Sequence, residues 1–282
     1  MALTVNTNVT SLSVQKNLNK ASDALSTSMT RLSSGLKINS AKDDAAGLQI
    51  ATRMTSQIRG QTMAIKNAND GISIAQTAEG AMQEQTNILQ RMRELAVQSR
   101  NDSNSSDDRD ALNKEFSQMS AELTRISGST NLNGKNLLDG TASTMTFQVG
   151  SNTGSTNQIT LTLSASFDAN TLGVGSAITI AGSDSAVAET NFSAAVTAID
   201  GALKTINASR ADLGAAQNRL TSTISNLQNI NENASAALGR VQDTDFASET
   251  AQLTKQQTLQ QASTAVLAQA NQLPSAVLKL LQ

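Results

Sequence analysis

Few residues of this chain could carry out acid–base or metal chemistry. Its 282 residues include no histidine and no cysteine, which excludes a Ser-His-Asp triad, a Cys-His pair and an ordinary zinc site. The adjacent carboxylates Asp43 and Asp44 come nearest to an acid–base pair. We interpret them as helix caps, because a carboxylate is stabilised at the positive end of a helix. The sequence therefore predicts no enzyme, no catalytic residue, no metal site and no cofactor.

The dominant pattern is instead a row of aliphatic residues spaced alternately four and three apart. This spacing is the heptad signature of a helix that packs along other helices. Ten of its thirteen positions are apolar. The row consists of Ile199, Leu203, Ile206, Arg210, Leu213, Gln217, Leu220, Ile224, Leu227, Asn231, Ala234, Leu238 and Val241. We predict a long helix here, packed against other helices of the same chain.

Thinner apolar rows lie near both ends of the chain. A helix with so narrow an apolar stripe is seldom stable alone. Large aromatic side chains could bury more surface, but the chain has only five phenylalanines and no tryptophan or tyrosine. We interpret both rows together as an assembly seam. Its residues are Val5, Val9, Leu12, Leu18, Leu25 and Leu32 at one end, and Leu259, Val266, Ala270, Leu273, Val277 and Leu280 at the other.

The remaining elements are predicted from periodicity and from turn signals. Apolar residues with a helical period predict helices over 3–34, 43–99, 107–127 and 193–241. Ser40 with Asp43 resembles a capping box, and Asp107 or Asp108 could cap the next helix. Alternation predicts a strand over 159–167, with weaker candidates at 146–149 and 177–180, and Asn133-Gly134 is a turn signal.

The order of these elements predicts the fold class and the domains. We expect a mainly α protein with a small β-rich insertion, built as a long antiparallel helical hairpin or coiled-coil bundle whose N- and C-terminal helices are paired. Residues 1–42 with 243–282 would form a terminal assembly domain. Residues 43–140 with 193–242 would form a long-helix domain, and 141–192 would be its short exposed insertion.

Charge and hydropathy exclude two classes of partner. The net charge of −2 argues against binding nucleic acid through a general basic face, and no stretch approaches the length of a membrane-spanning helix. The N-terminus has neither a basic start nor an apolar run, so no secretory signal peptide is predicted. Either the protein stays inside the cell or a dedicated apparatus exports it.

Several long motifs resemble those of bacterial flagellins. The clearest is RLSSGLKINSAKDDAAG at 31–47, and the resemblance continues at 67–80, 90–98, 263–274 and 277–281. It covers about residues 1–140 and 195–282, and it implies a structural subunit that polymerises into the extracellular flagellar filament for swimming motility. It also implies export in an unfolded state through the flagellum's type III apparatus, without a cleaved signal peptide. We expect 1–40 and 246–282 to be largely disordered before polymerisation.

The resemblance further implies a set of partners. These are other copies of the chain, the flagellar cap and hook-associated proteins, the export apparatus and a cytoplasmic chaperone on the C-terminal helix. A host toll-like innate receptor joins them, because Arg91, Leu95 and Glu115 match the residues that such receptors contact in other flagellins. The simpler interpretation is that Arg91 and Glu115 are surface charges and that Leu95 packs against a neighbouring helix or subunit.

Two other functions are compatible with parts of the pattern. A hook–filament junction protein shares the terminal architecture but lacks the close motifs at 31–47 and 263–274. A coiled-coil signalling or tethering protein would also show heptads, but it would not need paired terminal helices or a β insertion.

Overall fold

The computed structural model of the chain describes residues 7–280, and side chains as far as Gln272. Most of this length is helical, so the predicted mainly α class is confirmed. The helices are α1 (Val9–Ser34), α2 (Ala45–Ser99), α3 (Ser106–Ser129), α4 (Ser185–Gln242) and α5 (Phe246–Leu280). The strands are β1 (Asn131–Leu132), β2 (Lys135–Asn136), β3 (Ser143–Gln148) and β4 (Gln158–Leu163), with a short 3-10 helix, Ser155–Asn157, before β4.

Polar side chains and one glycine set the helix ends. The Asn8 side chain accepts a hydrogen bond from the Ser11 backbone N–H at the start of α1, and Gly35 ends α1 in the left-handed conformation with φ of 72°. The cap of α3 is Ser105, whereas the sequence suggested Asp107 or Asp108. Asp108 completes a capping box by accepting from the Ser105 backbone N–H.

The chain divides into two compact units. The terminal unit comprises residues 1–58 and 232–282, and the central unit comprises residues 59–231. The helices α2 and α4 each contribute residues to both units. These limits lie inside the two helices, whereas the sequence predicted domain limits between residues 42 and 43 and between residues 242 and 243. The predicted assembly domains therefore stay a prediction.

The core of the central unit is helical and aliphatic. Its largest buried side chains include Phe116, Met92, Leu123, Ile199 and Ile206, all with no exposed surface. The helices α2 and α4 run antiparallel, as the Arg93–Asp200 ion pair at 2.8 Å and the Gln217–Glu79 hydrogen bond at 2.8 Å show. Every position of the row from Ile199 to Val241 is buried or half-buried, which confirms the packed helix that the spacing predicted.

A β-hairpin covers part of this core. The strands β3 and β4 pair antiparallel from Ser143↔Leu163 to Gln148↔Gln158, and alternate side chains of β4 are buried. The hairpin approaches α2 closely, because a Cβ added at Gly71 would lie 3.3 Å from the Phe147 ring. A separate tight turn joins β1 to β2, where Asn133 and Gly134 have φ of 50° and 75°. The predicted turn is thereby confirmed.

One of the weaker strand predictions was wrong. Residues 177–180 form no strand, although Ile180 is buried. The backbone N–H of Ile180 donates to Asn113 Oδ1 at 2.9 Å, and its carbonyl accepts from Ser99 Oγ at 2.5 Å. Helix side chains thus satisfy the backbone groups that a neighbouring strand would otherwise bind. Across the described part of the chain, no helix has the length and hydropathy needed to cross a membrane.

Candidate self-assembly surface

The terminal helices α1 and α5 pack along each other. At one end of the pair, Asn8 Nδ2 donates to the Ala270 carbonyl at 2.8 Å. At the other end, Arg31 forms an ion pair with Glu249 at 3.6 Å. The start of α1 therefore lies beside the later part of α5, and the end of α1 beside its start. The two helices are antiparallel.

The side chains that the two helices bury follow heptad spacing on each. We call these residues the pairing seam. On α1 they are Ser11, Val14, Leu18, Ala21, Leu25, Ser28 and Leu32, and on α5 Glu249, Leu253, Gln256, Gln260, Ser263, Leu267 and Ala270. All are half-buried or buried, and their spacing alternates between three and four. The terminal helices thus meet as a short antiparallel coiled coil.

The structure separates the residues of the predicted assembly seam into two groups. Leu18, Leu25, Leu32 and Ala270 belong to the pairing seam. The other four described residues, Val9, Leu12, Leu259 and Val266, keep between 45% and 65% of their surface exposed, and we call them the outer apolar residues. Val5 lies outside the described residues, as do the side chains of Leu273, Val277 and Leu280.

Ten of the fourteen pairing-seam residues are absent from the assembly seam that the sequence predicted. Leu253 and Leu267 lie fourteen residues apart on α5 and are half-buried, a spacing of two heptads that could have been recognised. Gln256 and Gln260 lie between them and interrupt the apolar pattern. The sequence therefore identified only the more continuous row that contains Leu259, as part of the assembly seam.

The pairing seam buries little apolar surface. Among the described side chains of α1 and α5, only Ala21, Ser28 and Ala270 are fully buried, and none of these is large. A fully buried Leu side chain contributes about 1.5 to 3 kcal/mol. The described residues of these two helices include no fully buried side chain of that size. The coiled coil of a single subunit is consequently held by partial contacts.

Short backbone contacts join the segments that lead into the paired helices. The Lys37 N–H donates to the Gln242 carbonyl at 2.7 Å, and the Thr244 N–H donates to the Gly35 carbonyl at 2.9 Å. Asp245 then caps α5 by accepting from the Ala247 N–H at 3.0 Å. The segment that follows α1 and the segment that precedes α5 thus contact each other directly.

The carboxylates Asp43 and Asp44 act as backbone caps. Asp43 Oδ2 accepts from the N–H groups of Ser40 and Asn39 at 3.0 and 3.1 Å, and these hydrogen bonds lower the pKa of Asp43 below its usual value. Asp44 Oδ1 accepts from the Gly47 N–H at 2.9 Å at the start of α2. Within the described residues, no group of three or more acidic side chains could hold a metal ion.

A second surface feature lies on α2 and α3 of the central unit. Arg91 donates to Glu115 Oε1 from Nε at 3.1 Å and from Nη2 at 2.9 Å, and its Nη1 donates to Glu94 at 3.0 Å. Glu115, and after it Glu94, raise the pKa of the Arg91 guanidinium above its usual value. All three side chains are exposed, so the cluster presents a fixed array of charges to solvent.

Leu95 does not share that surface. Its side chain has no exposed area and belongs to the hydrophobic core that also contains Phe116 and Leu123. The structure therefore brings Arg91 and Glu115 together on one exposed surface, and it places Leu95 beneath them. The simpler interpretation of Leu95, packing against a neighbouring helix, matches its position.

Long helices, a terminal coiled coil and exposed apolar side chains beside it define a structural protein built for helix–helix association. The bacterial flagellin N-terminal helical region matches residues 5–143, and the C-terminal helical region matches residues 196–281. The chain belongs to the bacterial flagellin family. It is a structural subunit of the flagellar filament and not an enzyme, and its relatives form that filament outside the cell by self-polymerisation.

Curated relatives agree with this assignment over their whole length. The chain is 43% identical to Flagellin B of Vibrio anguillarum and 42% identical to Flagellin B of Vibrio cholerae serotype O1. Each alignment has 375 positions and covers 100% of both chains. Because the alignments are longer than this chain, each relative contains segments that this chain lacks.

One of two similar solved structures shares the fold of this chain. A flagellar hook-associated protein from Vibrio parahaemolyticus aligns with a TM-score of 0.58 at 13% identity, over 71% of this chain and 100% of that one. The flagellin of Bacillus cereus is 33% identical, with a TM-score of 0.47 over 57% of this chain and 88% of that one. The hook-associated protein shares the fold only, whereas the Vibrio flagellins match in sequence along both full chains.

Proposed function

We propose that this subunit polymerises by burying its outer apolar residues against other copies of the chain. The observation that carries the proposal is the exposure of Val9, Leu12, Leu259 and Val266 on helices whose own pairing seam is thin. Burying apolar surface is the main favourable contribution to protein association. Head-to-tail contacts between different faces of successive copies build a helical filament when they do not close into a ring.

Substitution of two outer apolar residues tests this proposal. The double variant Leu259→Ser and Val266→Ser should fold as a monomer but polymerise poorly on filament seeds, as followed by light scattering and electron microscopy. Val187→Ser is a matched control, because Val187 is 42% exposed and lies on α4, in the central unit. Normal polymerisation of the double variant would rule out these residues as assembly contacts.

The same weak pairing supports export in an unfolded state. As far as Gln272, the described side chains of this coiled coil include no large buried one. Such a pair is easily opened, which suits passage through a narrow type III export channel and capture of α5 by a cytoplasmic chaperone. Limited proteolysis of the monomer and of the filament would test whether both terminal helices open easily before assembly. Cleavage in α1 and α5 should be fast in the monomer and slow in the filament. Cleavage in the monomer as slow as in the filament would contradict the proposal.

We infer a further set of partners from membership of the family. The flagellar cap and hook-associated proteins would contact this chain at the two ends of the filament, and the terminal domains 1–42 and 243–282 would supply those contacts. Binding of purified cap and hook-associated proteins to wild-type filaments, and to monomers that lack 1–42, would test this assignment.

A second proposed function is recognition by a host toll-like receptor through Arg91 and Glu115. The exposed and mutually oriented charges support this proposal, with Leu95 acting as a support below them. Arg91→Ala should reduce the response of a receptor reporter cell to purified monomer. Arg125→Ala is a suitable control because Arg125 forms a similar exposed ion pair with Glu122. An equal response to both variants would contradict a specific role for Arg91.

A further inference from the structure

The methionines of this chain differ sharply in exposure. Met29 and Met63 have 58% and 53% of their surface exposed. Met82 and Met92 have none exposed, and Met145 keeps only 8%. Met54 and Met119 are half-buried. Solvent exposure decides which thioether groups an oxidant reaches, so Met29 and Met63 are the chemically accessible ones among the described residues.

The position of Met29 distinguishes it from Met63. Met29 lies on α1 beside the pairing-seam residues Leu25, Ser28 and Leu32, and its exposure shows that most of its side chain is left free of the contact with α5. It joins Val9 and Leu12 as a large exposed apolar residue of α1. Met63 lies on α2, in the central unit. Of the two exposed methionines, Met29 is thus the one that lies on a terminal helix.

We propose that Met29 is an oxidation site that controls assembly of the subunit. Hydrogen peroxide would convert Met29 of the unassembled chain to methionine sulfoxide, and the modified subunit would polymerise less well. The proposal rests on the function proposed above, in which exposed apolar surface of the terminal helices becomes buried between copies.

The chemistry is a two-electron oxidation of sulfur. The Met29 sulfur attacks one peroxide oxygen, the O–O bond breaks, and a sulfur–oxygen bond forms. Peroxide is reduced and leaves as water after proton transfer. The product is a polar sulfoxide that a sulfoxide reductase can return to methionine. Burying its oxygen without a hydrogen-bond donor is unfavourable, so contacts that accept the thioether would reject the sulfoxide.

Peptide mapping by mass spectrometry tests the accessibility part of the proposal. In full-length monomer treated with peroxide, Met29 and Met63 should be oxidised at least about tenfold faster than Met82 and Met92. In assembled filaments Met29 should become protected. Oxidation of Met29 as slow as that of Met82 in the monomer, or no protection in the filament, would overturn the proposal.

Matched variants test the effect on assembly. Oxidised wild-type protein should need about a tenfold higher critical concentration, equivalent to about 1.4 kcal/mol. Met29→Leu should remove this sensitivity to peroxide, Met63→Leu should keep it, and Met29→Gln should imitate the sulfoxide without peroxide. Equal sensitivity of Met29→Leu and wild type, or normal assembly of Met29→Gln, would overturn the proposal. Normal assembly of the Leu259→Ser and Val266→Ser variant would refute the broader function separately.

Discussion

Leu95 offers the sharpest test of how structure and recognition are related in this protein. It lies one helical turn from the exposed Arg91, yet its own side chain has no exposed area. Leu95→Ala should therefore act by leaving a cavity in the core of the central unit. Such substitutions destabilise by about 2 to 5 kcal/mol, and the complete burial of Leu95 points to about 3 kcal/mol.

The expected loss converts into a measurable temperature. For a unit of this size, 1 kcal/mol lowers the melting temperature by about 2 to 4 °C, so Leu95→Ala should melt roughly 6 to 12 °C below wild type. Circular dichroism of the full-length monomer would measure it. Val97→Ala is the matched control on the same helix. Val97 is 56% exposed, and its truncation should change stability by less than about 0.5 kcal/mol.

The opposite outcome would refute the reasoning. If Leu95 were a direct contact for a receptor, Leu95→Ala would abolish receptor activation while its melting temperature stayed at that of Val97→Ala. We expect instead that Leu95→Ala melts clearly below Val97→Ala. Leu95→Met nearly conserves volume and should keep both stability and activation.

Two further predictions concern helix ends and close packing. Hydrogen bonds from the Ser105 side chain and backbone lower the pKa of Asp108. This cap therefore stabilises the fold fully at a pH above the usual aspartate pKa, and the contribution is lost as the pH falls through the lowered pKa. Asp108→Asn should therefore reduce the difference in melting temperature between pH 7 and pH 3, and an unchanged difference would contradict the cap's role. Gly71→Ala should destabilise by about 1 to 3 kcal/mol, because the new Cβ would lie 3.2–3.3 Å from Leu220 and Phe147; urea denaturation would measure it, and wild-type stability would show that these neighbours can move.

Much of the fold could be predicted because helices dominate it. The row from Ile199 to Val241 predicted a packed helix, and the buried or half-buried state of all its positions agrees. The strand prediction at 177–180 was wrong, because alternation of side chains cannot show which groups form hydrogen bonds with the backbone. At Ile180 the backbone groups form hydrogen bonds with the side chains of Ser99 on α2 and Asn113 on α3.

The candidate site could be predicted only in outline. Arg91 and Glu115 were recognised by resemblance to flagellins and do lie together. The four-residue spacing of Arg91 and Leu95 could not show which side of α2 faces the core, and Leu95 is buried. Residues four apart share a face only approximately, because successive residues are spaced about 100° around a helix.

The sequence by itself determined that this chain lacks residues for ordinary enzyme catalysis and that its ends carry apolar helical rows. Tertiary structure alone decided how those rows are used. On α5 the row through Leu253 and the row through Leu259 overlap at Ser263 and Ala270, so spacing cannot choose between them. In the folded chain the side of α5 that faces α1 carries the row through Leu253. That row is buried or half-buried, and Leu259 and Val266 stay exposed.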